Sequence, residues 1–309
     1  MSARIKVNKP KRASIKTAWP YHLMLFPGMF FLITYSILPF FGNVIAFQNF
    51  NPAMGFFGSP WVGLDHFRFM IILPDVTRVF FNSLIIATGR LVFTMLFSIF
   101  FAILIHEMFG KIIKRAVQSI CFLPHFLSWV ILANVFRNVL DETGIVNITL
   151  MAIGIIDEPV IWLGNNNTFR PIIIATGVWR EFGFGAIIFI AALSGINPEL
   201  YEAADIDGAG RLKKIWHVTL PGMMVTIVLV ATLNLAQILN AGFDQIFNLY
   251  SPIVYRTGDI IDTYVVRTSF INAQFSFAAA VGLLRSAISF ILITLSYLMA
   301  RKFANYRIF

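Results

Sequence analysis

Charged residues are scarce in this chain. Asp, Glu, Lys and Arg supply only 13% of its 309 residues, whereas hydrophobic residues supply 58%. A soluble globular domain carries roughly 25% charged residues, so this composition excludes an ordinary soluble domain. It predicts apolar runs of about 20 residues, long enough to cross a bilayer, and the mean hydropathy of +0.78 agrees with that prediction.

Cysteine is nearly absent as well. The single cysteine, Cys121, excludes an internal disulfide and a cysteine-ligated metal cluster, and we expect it to serve packing within a membrane span. The histidines show no pair at the spacing of metal ligands, so each is expected to be structural. They are His22, His66, His106, His125 and His217.

Six apolar runs predict an all-α membrane protein with six transmembrane helices. The runs are rich in Leu, Ile, Phe and Met and lack the alternation of barrel strands. They are Leu23–Phe47, Phe80–Ile105, Val117–Leu140, Ile172–Leu193, Met224–Phe243 and Ala278–Met299. The first contains Pro27, Gly28 and Pro39, and we expect it to pack at the periphery, against a partner chain or against the other five helices.

Lysine and arginine are distributed unequally between the two sides of these spans. Fifteen lie on the side of the two termini and five on the other side. Because cytoplasmic loops retain positive charge, both termini are predicted to be cytoplasmic. Residues 1–20 are interpreted as a basic cytoplasmic tail, and residues 21–309 as a single transmembrane domain.

The basic character of the chain has two other interpretations. The net charge of +9 could indicate nucleic-acid binding, but the excess lies beside membrane spans, where anionic lipid attracts it. The basic start could be part of a signal peptide, but the span that follows is too long and lacks a small-residue cleavage site. Neither interpretation is favoured.

The loops between the spans predict further short helices. In an outer loop, the pattern predicts a surface helix over Ile145–Ile155. The longest cytoplasmic loop, residues 194–222, begins with Asn197 followed by proline, the pattern of a helix N-cap and first helical position. Gly208 offers the end of that helix. A second helical segment begins near Lys213 and is expected to stop at Pro221. On composition alone, an ordinary interfacial helix explains this loop equally well.

The spacing within the same loop resembles the signature of binding-protein-dependent ABC importer permeases. The signature is Glu-Ala-Ala, three residues, Gly, nine residues, an aliphatic residue, one residue and Leu-Pro. It maps onto Glu202, Ala203, Ala204, Gly208, Val218, Leu220 and Pro221. The departure is Val218, where the family usually has isoleucine. Further stretches resemble the branch that imports oligosaccharides and polysaccharide fragments: Phe122–Trp129, Trp179–Gly185 and Asp262–Val265.

This resemblance implies a type I importer permease with the MetI-like fold, located in the bacterial inner membrane. It implies that a cytoplasmic ATPase dimer docks on the signature loop. Permeases of this family pair as homodimers or heterodimers, and we expect a second permease subunit to form a heterodimer with this chain. An extracytoplasmic solute-binding protein would deliver a sugar. The sequence has no Gly-x-x-x-x-Gly-Lys-Ser/Thr phosphate loop. We therefore expect no cofactor on this chain, with ATP and magnesium on the partner ATPase, and we assign no catalytic or metal-binding residue.

Polar residues inside the spans are candidates for a substrate path, because a charge there costs roughly 2.5–3.5 kcal/mol. Arg180 and Glu181 lie near the middle of the fourth span. As neighbours they point about 100° apart on a helix, so they are not expected to pair with each other. Either each pairs with another helix, or one of them lines the path.

The fifth span carries a polar stripe within about 100° of the helix surface. Its members are Asn234, Gln237, Asp244, Gln245 and Asn248, whereas Asn240 lies about 120° from Asn234 and is expected to fall outside it. Amides and a carboxylate suit a hydroxyl-rich substrate. Hydrogen bonding between helices explains the stripe equally well.

Other classes of membrane protein fit parts of the pattern. The run from Asp207 to Arg211 resembles the start of a CDP-alcohol phosphotransferase motif, but no acidic residue follows as far as Asn234. An ion-driven transporter or channel would carry intramembrane acids or internal repeats. Glu181 is the only deep acid among the predicted spans, and no repeat is visible. A permease for a different small solute stays open as an alternative.

Overall fold

The computed structural model describes residues 15–235 and 237–304. Of the predicted basic tail, residues 1–20, the first fourteen residues lie outside the described part of the chain. Within the described ranges the chain is helical, without a named strand. The helices are α1 Ile15–Leu32, α2 Leu38–Phe41, α3 Gly55–Gly58, α4 Asp65–Ile72, α5 Pro74–Glu107, α6 Lys111–Phe122, α7 Trp129–Val139, α8 Ile145–Ala152, α9 Asn166–Ser194, α10 Pro198–Ile206, α11 Arg211–Lys214, α12 Leu220–Leu235, α13 Phe243–Leu249, α14 Tyr255–Gly258, α15 Ile261–Val266 and α16 Phe275–Ala304.

Five helical stretches in the described part are long and apolar enough to cross a membrane, and one bent pair of helices brings the number to six if the pair is counted as one span. The five are Trp19–Phe47, Pro74–Glu107, Asn166–Ser194, Arg211–Leu235 and Phe275–Leu298. The sixth is Lys111–Phe126 with Trp129–Val139. The all-α fold predicted from the apolar runs is confirmed, but two of the predicted spans have different shapes.

The third predicted span, Val117–Leu140, is not straight. Its two halves meet at an angle of 101°. Pro124 removes a backbone donor just before the bend, and Ser128 starts a new helix as its N-cap, accepting from the Ile131 N–H at 3.4 Å. Apolar residues continue on both sides of the bend, so hydropathy alone does not reveal it.

The fifth predicted span, Met224–Phe243, is displaced toward the loop that carries the signature. Its helix ends at Leu235, and α13 begins only after Gly242, whose φ of +89° lies in the left-handed region that glycine tolerates. At the other end the helix runs through Pro221 and does not stop there, contrary to the prediction. A π-helical turn, Ile215–Thr219, precedes the proline and shifts the hydrogen-bond register where the N–H is missing.

Most of the first span, as far as Phe41, lies outside the packed bundle, as the sequence predicts, whereas its end, Gly42–Phe47, packs against the other helices through the buried Ala46. From Trp19 to Phe41 every side chain is exposed except the half-buried Thr34. The packed centre instead consists of α5 and α9, which run beside each other, with the Ser98 hydroxyl of α5 donating to the Phe182 carbonyl of α9 at 2.8 Å. Cys121 packs in the adjoining apolar cluster, which agrees with its expected structural role.

The short outer helix predicted over Ile145–Ile155 is present as α8, Ile145–Ala152. Asn147 fastens it to the loop that follows. Its buried side chain accepts from the Val160 N–H at 3.1 Å and from the Trp162 indole N–H at 2.9 Å. Hydrogen bonds to Asn147 therefore hold the loop before α9 in place.

Candidate functional site

A polar cavity of about 800 Å³ lies among α5, α7, α9, α12 and α13. All seven residues that the sequence suggests for a path contribute to its wall. They are Arg180, Glu181, Asn234, Gln237, Asp244, Gln245 and Asn248. Arg90 and Glu181 place the cavity near the middle of α5 and α9, where a soluble cargo crossing the bilayer would need polar partners.

The residues of the fifth span reach this cavity by a different geometry from the one predicted. The calculated stripe assumes one unbroken helix, whereas Asn234 is at the end of α12, Gln237 is in the turn that follows, and Asp244 is on α13. Asn240, which the helical period places outside the stripe, also lines the cavity. Because the helix is interrupted, more polar groups face the cavity than a continuous helix would place there.

Gln245 is the member of this set whose side chain is committed to packing. It is fully buried, and its amide donates to the Ile173 carbonyl at 2.7 Å and to the Thr176 hydroxyl at 2.8 Å. This residue joins α13 to α9. For Gln245, hydrogen bonding between helices is thus the interpretation that the structure supports.

Arg90 of α5 forms an ion pair with Glu181 of α9 on the cavity wall. The exposed fraction of its side chain is 14%, and that of Glu181 is 30%. Its guanidinium also reaches Gln245 Oε1 at 3.5 Å and lies against Gly242. The sequence interpretation missed Arg90, although a charge in the middle of an apolar run is the same signal that identified Arg180 and Glu181.

Arg180 holds the bend between α6 and α7. It donates to the carbonyls of His125 at 2.9 Å and Leu127 at 3.1 Å, two groups left without helical partners, and its guanidinium lies 5.2 Å from the centre of the Trp129 ring. Arg180 Nη1 is also 3.5 Å from Glu181 Oε1. The expectation that these neighbours do not pair is therefore wrong, because the long arginine side chain can turn back toward the adjacent carboxylate.

A second ion pair fixes the non-helical segment after α12. Arg285 of α16 pairs with Asp262 of α15 and donates to the side chain of Asn240 and to the Leu239 carbonyl, the last at 3.4 Å. Burial raises the pKa of the Asp262 carboxyl, and the charge of Arg285 opposes this shift. Like Arg90, Arg285 is a charge inside an apolar run that the sequence interpretation left unassigned.

The predicted signature loop forms a capped helix at the end of the fourth span. Asn197 caps α10 by accepting from the Glu199 N–H at 3.1 Å. At the other end Gly208 has φ +70°, and the Ala209 N–H returns to the Ala204 carbonyl at 2.9 Å, a Schellman-type ending. The predicted start and end of this helix are confirmed.

Exposure divides the signature residues into two groups. Glu202, Ala203, Gly208 and Pro221 are exposed, whereas Ala204, Val218 and Leu220 are half-buried. The loop is fastened to the start of the next span by a Tyr201–Thr219 hydroxyl contact of 3.1 Å and by a Lys214–Asp205 ion pair of 2.8 Å. These contacts anchor the loop, while the exposed signature residues present a surface.

This molecule is a helical bundle with a polar cavity halfway across its spans and an anchored helix at one end. This is the architecture of a membrane permease. Residues 94–305 match the family model described as the binding-protein-dependent transport system inner membrane component. The chain belongs to this family. It is therefore a permease subunit of an ABC transporter and not an enzyme.

Two proteins of Bacillus subtilis are similar over nearly their whole length. Protein LplB is 36% identical over 92% of this chain and 89% of its own. The polygalacturonan/rhamnogalacturonan transport system permease protein YteP is 35% identical over 97% of this chain and 94% of its own. Both alignments include the cavity and the loop.

The fold is similar to that of a solved sugar importer. A chain of a bacterial ABC transporter involved in the import of the acidic polysaccharide alginate superposes with a TM-score of 0.86, at 34% identity, over 94% of this chain and 97% of that one. The same transporter in complex with an alginate pentasaccharide-bound periplasmic protein gives a TM-score of 0.84 over 93% and 96%.

The Arg90–Glu181 pair predicts a measurable loss of stability. Arg90→Gln leaves Glu181 with a single arginine in a poorly solvated wall, and we expect the purified protein to lose about 3 kcal/mol, the low end of the cost of breaking a buried pair. Thermal unfolding in detergent measures this loss. The double variant Arg90→Gln/Glu181→Gln should regain part of it, because Glu181 then no longer carries a charge that has lost its closer partner.

Arg78→Gln is the matched control, since Arg78 pairs with Asp75 where the two side chains are 44% and 59% exposed, and such pairs contribute less than about 1 kcal/mol. An equal loss of stability in Arg90→Gln and Arg78→Gln would contradict the prediction that the Arg90–Glu181 pair contributes more than an exposed pair.

Proposed function

We propose that this chain is the membrane-spanning permease subunit of an ATP-driven importer for a sugar, specifically an oligosaccharide or a fragment of a polysaccharide. The observation that carries the proposal is the cavity wall. Asn234, Gln237, Asn240 and Asn248 surround the space with amides, which donate and accept hydrogen bonds and so replace the water around a hydroxyl-rich cargo. About 800 Å³ also lies in the size range of small-molecule sites.

The names of the relatives support the same class of cargo. They include transport systems for polygalacturonan and rhamnogalacturonan, for arabinooligosaccharides and for alginate. An ion-coupled mechanism is less well supported, because Glu181, the acid within the predicted spans, is held by two arginines.

The proposed assembly contains three further kinds of subunit. A second permease subunit would complete the cavity as a heterodimer, an extracytoplasmic solute-binding protein would deliver the sugar, and a cytoplasmic ATPase dimer would bind ATP and magnesium. The exposed signature residues around Glu202 and Gly208 would be the docking site of the ATPase. The anchoring contacts of Tyr201 and Lys214 would transmit its movement to α12.

The docking proposal predicts that Gly208→Val uncouples transport from ATP hydrolysis. A β-branched residue cannot adopt φ +70° without strain, although the space around Gly208 is open, so the turn would change while the rest of the chain still inserts. Substrate uptake and ATP hydrolysis by the reconstituted complex are the measurements. Gly208→Asn should be tolerated better, since asparagine enters the left-handed region more readily.

Gly210→Val is the matched control for this turn. Gly210 also has open space around it, but its φ of −68° is available to any residue. Normal coupling in Gly208→Val, or equal uncoupling in both valine variants, would contradict the assignment.

The cavity proposal predicts that Asn234→Leu and Gln237→Leu each slow uptake about tenfold, because a sugar hydroxyl would lose a hydrogen bond worth about 1–3 kcal/mol when left unmade. Basal ATP hydrolysis should persist. Thr232→Val is the control on the same helix, since the Thr232 hydroxyl donates within the helix to the Val228 carbonyl at 2.8 Å. Failure of the complex to assemble would instead identify these amides as contacts between helices, and unchanged uptake would place the path elsewhere.

We also propose that both termini are cytoplasmic, which the unequal distribution of lysine and arginine supports. A reporter that is active only in the cytoplasm should work when it is fused after Phe309 and stay silent when it is inserted near Asn166. The opposite pattern would contradict this topology. It would also place the signature loop on the side of the membrane that a cytoplasmic ATPase cannot reach.

A further inference from the structure

We propose that the permease binds an anionic phospholipid at the end of the bundle that carries the signature loop. The site is formed by two segments and is called here the basic rim. One segment is Phe109, Gly110 and the start of α6, and the other is α11. Its exposed basic side chains are Lys111, Arg115, Arg211 and Lys213. Among the described residues none of the four forms an ion pair or donates a side-chain hydrogen bond.

The two segments lie next to each other. The Arg211 guanidinium is 5.7 Å from the centre of the Phe109 ring, and Phe109 precedes α6 by two residues. Nearby, the His106 ring at the end of α5 lies 5.9 Å from the Tyr201 ring of α10. Basic side chains from two segments that are distant in sequence therefore lie at one part of the surface.

Large apolar side chains are exposed between these cations. Ile112 is 85% exposed, Phe109 80% and Leu212 73%, and Trp216 is exposed as well. Exposed apolar groups interleaved with exposed cations match a phospholipid, whose anionic headgroup and acyl chains are joined in one molecule.

The ATPase is the other occupant to consider, because the signature loop is adjacent. The exposed apolar face of α6 favours the lipid. It continues from Ile112 through Ala116 to Ile120, a distance of about 12 Å along the helix at 1.5 Å per residue, within the first half of a membrane span. Acyl chains extend to that depth, whereas a protein docked outside the membrane does not.

The test compares lipid retention by the complete transporter. Complexes in nanodiscs of phosphatidylglycerol and phosphatidylcholine are released and the retained lipids are counted by native mass spectrometry. The variant is Lys111→Gln/Arg115→Gln/Lys213→Gln, which leaves the contact of Arg211 with Phe109 intact. We expect retained phosphatidylglycerol to fall at least about tenfold, since each basic residue at an anionic surface contributes about fivefold in affinity, while phosphatidylcholine stays unchanged.

The control neutralises three arginines at the other end of the bundle, Arg68→Gln/Arg78→Gln/Arg256→Gln, and should leave retention unchanged. In the unmodified complex, raising the ionic strength should weaken phosphatidylglycerol binding, because salt screens exposed charges; this readout does not depend on the folding of a variant. Equal loss of both lipids, or loss of the ATPase subunit with phosphatidylglycerol retained, would overturn the proposal.

Discussion

A backbone carbonyl or N–H group in the hydrocarbon region of a bilayer finds no water, so each interruption of a helix must be compensated by another protein group. The helices are interrupted at two places here, between α6 and α7 and between α12 and α13. Arginines from other helices compensate both. Arg180 satisfies carbonyls at the first interruption, and Arg285 donates to the segment at the second. The polar cavity lies where these interruptions meet.

Arginines in such a place require anions in turn, and the structure supplies one for each interruption. Glu181 lies within reach of Arg90 and Arg180, and Asp262 pairs with Arg285. The charges around the cavity are largely neutralised by these contacts. The amides at the broken end of the fifth span then supply the neutral hydrogen-bonding groups of the wall.

Local signals in the sequence predicted the helices well but not their interruptions. The N-cap at Asn197 and the turn at Gly208 are determined by neighbouring residues, so both could be predicted. The end of α12 at Leu235 could not, because Ile238, Leu239 and Ala241 continue the apolar run after it, and the segment there is held by Arg285 from a helix about fifty residues later. Arg90 and Arg285 could have been found by asking which intramembrane charges lacked a partner.

The π-helical turn before Pro221 gives the fifth span one uninterrupted helical path from Arg211 to Leu235. Inserting one residue anywhere along that path would rotate everything beyond it by about 100° and turn Asn234 away from its neighbours. Changes of length in the course of evolution are therefore constrained along this stretch. The non-helical residues 237–242 are the place where related chains have room to differ in length.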